Sequence, residues 1–303
     1  MPPAPLPSEI AKMEAARVMR MHHMLWHTAR NGWLRFSAQT QQAFEDAGWA
    51  PPRPAVDAQG NPILDNHSGE DFLFMHRQMI AAVNDRLAVI EDPDYPKVQG
   101  WARFPRPGDA DYPVPPAYAM GDPDADASLV RLKSDDFFTT RFAPKEGELT
   151  DHDFLTSTGL GELGASIEFT VHNWAHQRWS QEPAEQRPPG LSPPPSFDDV
   201  SYDWLADFYS SHVNATFWKL HGWVDAQVDA WMRANDEVAA TYEWTGTWIG
   251  PVELLDEHGP HAGPAALGAP PAQQPAQEAD DAERLLALAA DEGLEASPRD
   301  VEP

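Results

Sequence analysis

Apolar residues fall at helical spacing in four long segments of the chain. The first, EIAKMEAARVMRMHHMLWHTARNGWLRFSAQTQQAFEDAG, follows Ser8 as a helix N-cap and carries a break signal near Asn31–Gly32. The second, EDFLFMHRQMIAAVNDRLAV, predicts a helix over Glu70–Val89. The third runs over Leu160–Ser180 and stops at RPPGLSPPPSFDD; the fourth runs over Tyr202–Asn235, interrupted by SSHVNAT. Residues 50–66 read as loop. Residues 91–150 are rich in Pro and Asp with little periodicity, and a loop of that length tends to be functional when ordered. TYEWTGTWIG reads as a short strand. These patterns predict a mainly α fold, an antiparallel four-helix bundle core with long irregular loops. One domain spans residues 1–256. Residues 257–303 form a low-complexity, acidic, Pro/Ala-rich tail whose composition predicts disorder, with AERLLALAADEGL as a short helical stretch. The alternative for this tail is a lid over the functional site.

Composition narrows the function. Hydrophobic residues make up 42% of the 303, enough for a sizeable core. No apolar run reaches the roughly 18 residues of a membrane-spanning helix, and no secretory signal is visible, so a cytoplasmic location is expected. The absence of cysteine excludes disulfides, thiolate metal sites and cysteine nucleophiles. A formal charge of −27 argues against nucleic acid and anionic membranes as partners. What remains in quantity is imidazole, with 12 histidines.

The histidines concentrate on the predicted helices. His22, His23 and His27 lie in the first, His76 in the second with His67 just before it, His172 and His176 in the third, and His221 in the fourth. Residues four apart share a helix face, so His23/His27 and His172/His176 each present two imidazoles together. A single helical histidine follows each pair. Four helices can aim such a set of six at one interior point, a donor set suited to Cu, Zn, Fe or Ni. The Glu-x-x-His repeat of carboxylate di-iron bundles and the H-E-x-x-H zinc motif are both absent.

These segments resemble the type-3 copper proteins: tyrosinases, catechol oxidases and haemocyanins. HHMLWH is similar to the haemocyanin pattern HHxxWH, FLFMHRQMI to the helix of the third first-copper ligand, VHNWAHQRW to the second-copper pattern HN-x-x-H, and FWKLHGWVD to the last ligand helix. The resemblance covers roughly residues 20–90 and 160–235. It implies two copper ions with dioxygen as co-substrate. The second copper would take His172, His176 and His221. The first would take His76 with two of His23, His27 and His67; the haemocyanin spacing gives His23 and His27, and the tyrosinase spacing brings in His67. The rigid i,i+4 pair favours His23 and His27. The resemblance also implies a role for Asn173 in helping a glutamate polarise a water, with Glu168 the first candidate and Glu162 the second. Asp225 would orient the His221 ring, while His22, Trp174 and Trp223 are read as packing. Departures are a missing PYWDW-like segment and Gly222 where tyrosinases tend to carry a second histidine. The expected function is the use of dioxygen to hydroxylate phenols and/or oxidise catechols or o-aminophenols to quinones, on a small phenolic substrate or a peptide tyrosine. A non-catalytic dioxygen carrier is the alternative, and a zinc-binding helical protein a third. The need for a copper-delivery protein stays open.

Overall fold

The computed structural model describes residues 5–238, 241–244 and 275–292. The described chain is mainly helical, and its β-structure is one isolated bridge between Val56 and Pro62. The first long periodic segment is three helices: α1 (Ser8–Ala15), α2 (Arg17–Gly32) and α3 (Ala38–Asp46). Ala16, with ψ 133°, breaks the path between α1 and α2, and α2 ends at the expected Gly32. Ser8 is the first helical residue of α1, with Pro7 in the cap position. Helix α4 (Ser68–Ile90) is the second predicted helix, closed at Glu91 by a left-handed residue.

The region expected to be irregular holds more helix than its pattern suggested. It contains α5 (Pro123–Leu132), α6 (Asp135–Phe137), a π turn over Phe138–Phe142, and α7 (Ala143–Leu149). Short α8 (His152–Ser157) follows. Asp122, Ser134 and Asp151 cap three of these helices with side-chain oxygens. The third predicted helix is α9 (Leu160–Ile167), a π turn over Glu168–His172, and α10 (Asn173–Arg178) in unbroken succession. The fourth is shorter than predicted: α11 is Ala215–Ala234, started by the Asn214 side chain. Residues 202–210 are irregular turn instead of helix. Of TYEWTGTWIG, residues 241–244 form no strand, and 245–250 lie outside the described residues.

The tail is corrected in part. Residues 275–291 form helix α12 (Pro275–Asp291), packed on α2 and α3. Its Ala282, Leu285, Leu286 and Ala289 are buried at helical spacing. Glu283 pairs with Arg17 (2.9 Å), and Glu292 accepts from the Ser37 backbone (2.6 Å) and from the Thr40 hydroxyl at the start of α3. Residues 257–274 and 293–303 of that tail lie outside the described residues. No described helix is long and apolar enough to cross a membrane.

Two contacts hold the histidine helices in register. Arg30 of α2 donates to the Ser68 carbonyl at the start of α4 (2.8 Å) and to both oxygens of Glu168 (2.6 and 3.0 Å). Helices α4 and α9 meet backbone to backbone: a Cβ on Gly164 would stand 2.1 Å from the Gly69 carbonyl oxygen. A similar contact explains Gly222, where a Cβ would stand 2.5 Å from the backbone of Gly100. The 99–101 segment lies there against α11, with Trp101 N–H donating to the Lys219 carbonyl at 2.9 Å.

These clearances set opposite outcomes for one kind of substitution. Gly164→Ala is expected to destabilise by about 1–3 kcal/mol or more, because backbone must move to admit the methyl group. Gly147→Ala in α7, where a new Cβ meets nothing within 4 Å, is expected to stabilise by roughly 0.5–1 kcal/mol through lost chain entropy. Urea denaturation of both variants checks the pair.

Candidate metal centre

The two solitary helical histidines are oriented by their own helices. His76 Nδ1 lies 2.8 Å from the Phe72 carbonyl, and His221 Nδ1 lies 2.9 Å from the Phe217 carbonyl. A side chain leaning back over the preceding turn meets the carbonyl four residues earlier. The ring then donates through Nδ1, and Nε2 is left as a bare lone pair aimed inward. Both positions read F-x-x-x-H, and the phenylalanines also wall the site. Phe217 stacks on His221 with centroids 3.6 Å apart, and Phe72 lies 4.6 Å from His76 and 4.7 Å from His172.

The paired histidines draw on other acceptors. His23 Nδ1 lies 2.6 Å from the Phe208 carbonyl, and His176 Nδ1 lies 2.7 Å from the Leu205 carbonyl. Both carbonyls belong to the irregular 202–210 segment. His172 closes the π turn, with Nδ1 3.1 Å from Asn173 Oδ1. The His27 ring stacks on Phe208 at 4.3 Å, nearly parallel.

All six rings are buried and face one another. His23, His27 and His76 present ligand atoms within 4.8 Å of one another, as do His76, His172 and His221. His176 joins the second group, its Nε2 3.1 Å from that of His172, which is itself 3.1 Å from His221 Nε2. Backbone carbonyls at Nδ1 place the proton of His176 and His221 there and leave their Nε2 atoms as acceptors, and Asn173 Oδ1 at Nδ1 of His172 favours the same tautomer for that ring. Three lone pairs therefore converge in a dry space. Two imidazoles on one tetrahedral ion at about 2.0–2.1 Å would stand roughly 3.3 Å apart, close to the spacing present. His23 Nε2 and His76 Nε2 are likewise buried without a partner. Buried polar atoms are rarely left so, and a metal cation satisfies this donor set. Each of these groups could thus hold a metal ion, with His76 common to both.

The positions singled out in the sequence separate clearly. His67 is exposed at 68% of its side chain, in a left-handed conformation before α4, and stands 3.8 Å from Glu70. It lies outside both clusters, which leaves His23 and His27 beside His76. Asn173 faces the His172 ring as described. Glu168 is buried but held at both oxygens by Arg30. Its pKa is raised by burial, with Arg30 pulling the other way. A carboxylate so engaged is not free to polarise a water. Glu162 is exposed. Asp225 does not reach His221: it accepts from Arg77 Nε at 2.5 Å, and the Phe217 carbonyl takes the role expected of it. His22 packs against Trp49 at 5.3 Å, Trp223 is buried against Phe104, and Trp174 lies edge-on to Phe137.

Sequence reasoning missed His212. It is fully buried on a short turn before α11, its ring 4.7 Å from that of His23, and neither ring nitrogen completes a hydrogen bond. Nothing in its spacing marks it. The F-x-x-x-H repeat was legible and would have pointed to the Nδ1 acceptors of His76 and His221. No family model and no curated protein matches the chain.

Burial, followed by the neighbouring imidazoles, pushes the pKa of His27, His76, His172 and His221 well below the ordinary 6.5. Burial lowers His23 and His176 to about 4. A base with a depressed folded pKa binds fewer protons than the unfolded chain at acid pH. Its contribution is therefore complete above about 6.5 and lost as pH falls from there toward the folded value. Each such group contributes up to about 1.4 kcal/mol per pH unit. Metal-free protein is expected to show a much lower urea midpoint at pH 5.5 than at 7.5. Equal midpoints would mean that the rings are not buried in neutral form.

Proposed function

We propose that the chain is a dinuclear copper oxidoreductase, similar to tyrosinases and catechol oxidases. It uses dioxygen to hydroxylate small phenols, to oxidise catechols or o-aminophenols to quinones, or both. The observation that carries this reading is the convergence of buried imidazoles from two His-x-x-x-His pairs and two single helical histidines, with the Nε2 atoms of His23 and His76 left without a partner and those of His172, His176 and His221 facing one another. His23, His27 and His76 would hold the first ion. His172, His176 and His221 would hold the second. Copper bound there would take up dioxygen and exchange electrons with the phenol.

The chain's own contribution is geometric. Carbonyls of Phe72, Leu205, Phe208 and Phe217, with Asn173, fix ring orientation and tautomer. Phe72, Phe208 and Phe217 place apolar faces against the imidazoles and exclude water. Arg30 ties Glu168 away from proton transfer, so Asn173 serves as the His172 acceptor. The depth of the site suits a small phenol better than a tyrosine within a folded partner. A second reading, a non-catalytic dioxygen carrier, draws on the same observation: all six rings are at most 8% exposed, which dioxygen tolerates more easily than an aromatic substrate.

Metal analysis of protein loaded with copper under reducing conditions is expected to give two ions per chain. Added 4-methylcatechol or 4-methylphenol should then yield quinone absorbance. His221→Ala should lose one ion and lower turnover at least about 100-fold, the upper end of what loss of a group behind a ligand costs. Reversible dioxygen uptake without quinone would establish the carrier reading. Zinc bound in preference to copper would sink both.

A further inference from the structure

We infer that the buried Arg187–Asp207 ion pair positions one histidine of each metal group, by holding the turn whose Leu205 and Phe208 carbonyls orient His176 and His23. The inference rests on reading the six histidines as ligands.

The turn has no regular backbone ladder to define it. Its internal bonds run from Asp207 N–H to the Trp204 carbonyl (3.1 Å) and from Ser210 and Ser211 N–H to the Asp207 carbonyl (2.9 and 2.8 Å). Asp207 therefore sits at its centre, two residues after Leu205 and one before Phe208. The carboxylate is gripped by both arms of Arg187: Nε reaches one oxygen at 2.6 Å and Nη2 the other at 2.8 Å. Tyr202 hydroxyl (3.1 Å) and Tyr209 N–H (3.2 Å) donate to the same carboxylate. Arg187 is itself anchored by the Gly190 carbonyl at 2.6 Å and the Pro188 carbonyl at 3.2 Å. Both residues are buried, at 7% and 2% exposure.

A buried ion pair is a poor source of stability, because desolvation offsets the attraction. A bidentate guanidinium–carboxylate pair does fix direction. What it fixes here is a pair of carbonyl oxygens, one for each metal group. His76 and His221 do not depend on this turn, since their acceptors belong to their own helices. Four of the histidines therefore fall into two sets, His23 and His176 against His76 and His221, that respond differently to one substitution.

Long-range proton–nitrogen NMR of histidine-labelled, metal-free protein reads each Nδ1–H and its tautomer without any metal present. In Asp207→Asn, the Nδ1–H of His23 and His176 is expected to exchange at least ten-fold faster, while those of His76 and His221 stay unchanged. Copper affinity should fall roughly 10–100-fold at both groups. Glu146→Gln serves as comparator. It weakens another buried carboxylate, which accepts from Phe104 N–H at 2.8 Å and pairs with Arg106 at 2.9 Å; it should lower stability and leave all these signals in place. Where Asp207→Asn does not fold, Arg187→Lys keeps the charge, removes the fork and should give the same selective pattern. Unchanged His23 and His176 signals would overturn the inference, as would equal loosening of His76 and His221. Selective loosening in a protein that binds no copper would uphold the positioning role and refute the copper reading alone.

Discussion

Three unprotonated imidazole nitrogens from His172, His176 and His221 point at one another from about hydrogen-bond distance, with no hydrogen to share. That arrangement is unfavourable in a dry space unless a cation stands among them, and it is not an accident of side-chain placement. Each ring has its other nitrogen committed to an oxygen: the Phe217 carbonyl, the Leu205 carbonyl and Asn173. The acceptors decide which nitrogen carries the proton, and burial removes the water that would otherwise satisfy the exposed lone pair. Orientation and dryness together make a metal the natural partner.

The scaffold serves this arrangement in two ways. Helices α4 and α11 supply both a ligand and that ligand's acceptor, so their histidines need only a rigid helix. His23 on α2 and His176 on α10 have acceptors on an irregular turn, and that turn has to be held from outside. Close packing sets the spacing between the elements. Gly69 against Gly164 lets α4 and α9 touch along their backbones, and Arg30 bridges the start of α4 to Glu168. Gly222 stands where the resembled family tends to carry a second histidine, and the structure gives it a packing reason: the 99–101 segment fills the space that a side chain would need.

Much of this was legible in the sequence because helical periodicity is a local signal. The pairs His23/His27 and His172/His176, and the solitary His76 and His221, fall where the pattern placed them. His67 was ambiguous because spacing alone cannot say whether a loop residue turns inward; its left-handed backbone turns it out to solvent. Asp225 was expected beside His221 on helical proximity, but Arg77 from another helix competes for it, and no one-dimensional pattern encodes that contact. Glu168 gave the same difficulty with Arg30. Residues 202–210 read as helix because Trp204, Leu205 and Tyr209 are apolar, yet they are buried as parts of a turn whose order comes from Asp207 and Arg187. The tail's composition predicted disorder, while the apolar spacing of Ala282, Leu285, Leu286 and Ala289 carried enough local information for a helix on α2.

The donor set also bears on which metal fits. Six neutral imidazoles bring no negative charge to the ion. The buried carboxylate on the ligand-bearing helix, Glu168, is already neutralised by Arg30. Holding a cation in a low-dielectric interior becomes steeply more expensive as its charge rises, and without anionic ligands nothing in contact offsets it. A monovalent ion is the least demanding occupant of such a site. Among metals that favour imidazole, copper is the one with a common monovalent state, whereas zinc and iron would bring at least two charges each. Two-electron chemistry with dioxygen begins from that reduced state. On the copper reading proposed above, the absence of carboxylates that separates these clusters from di-iron bundles suits the reduced, singly charged ion.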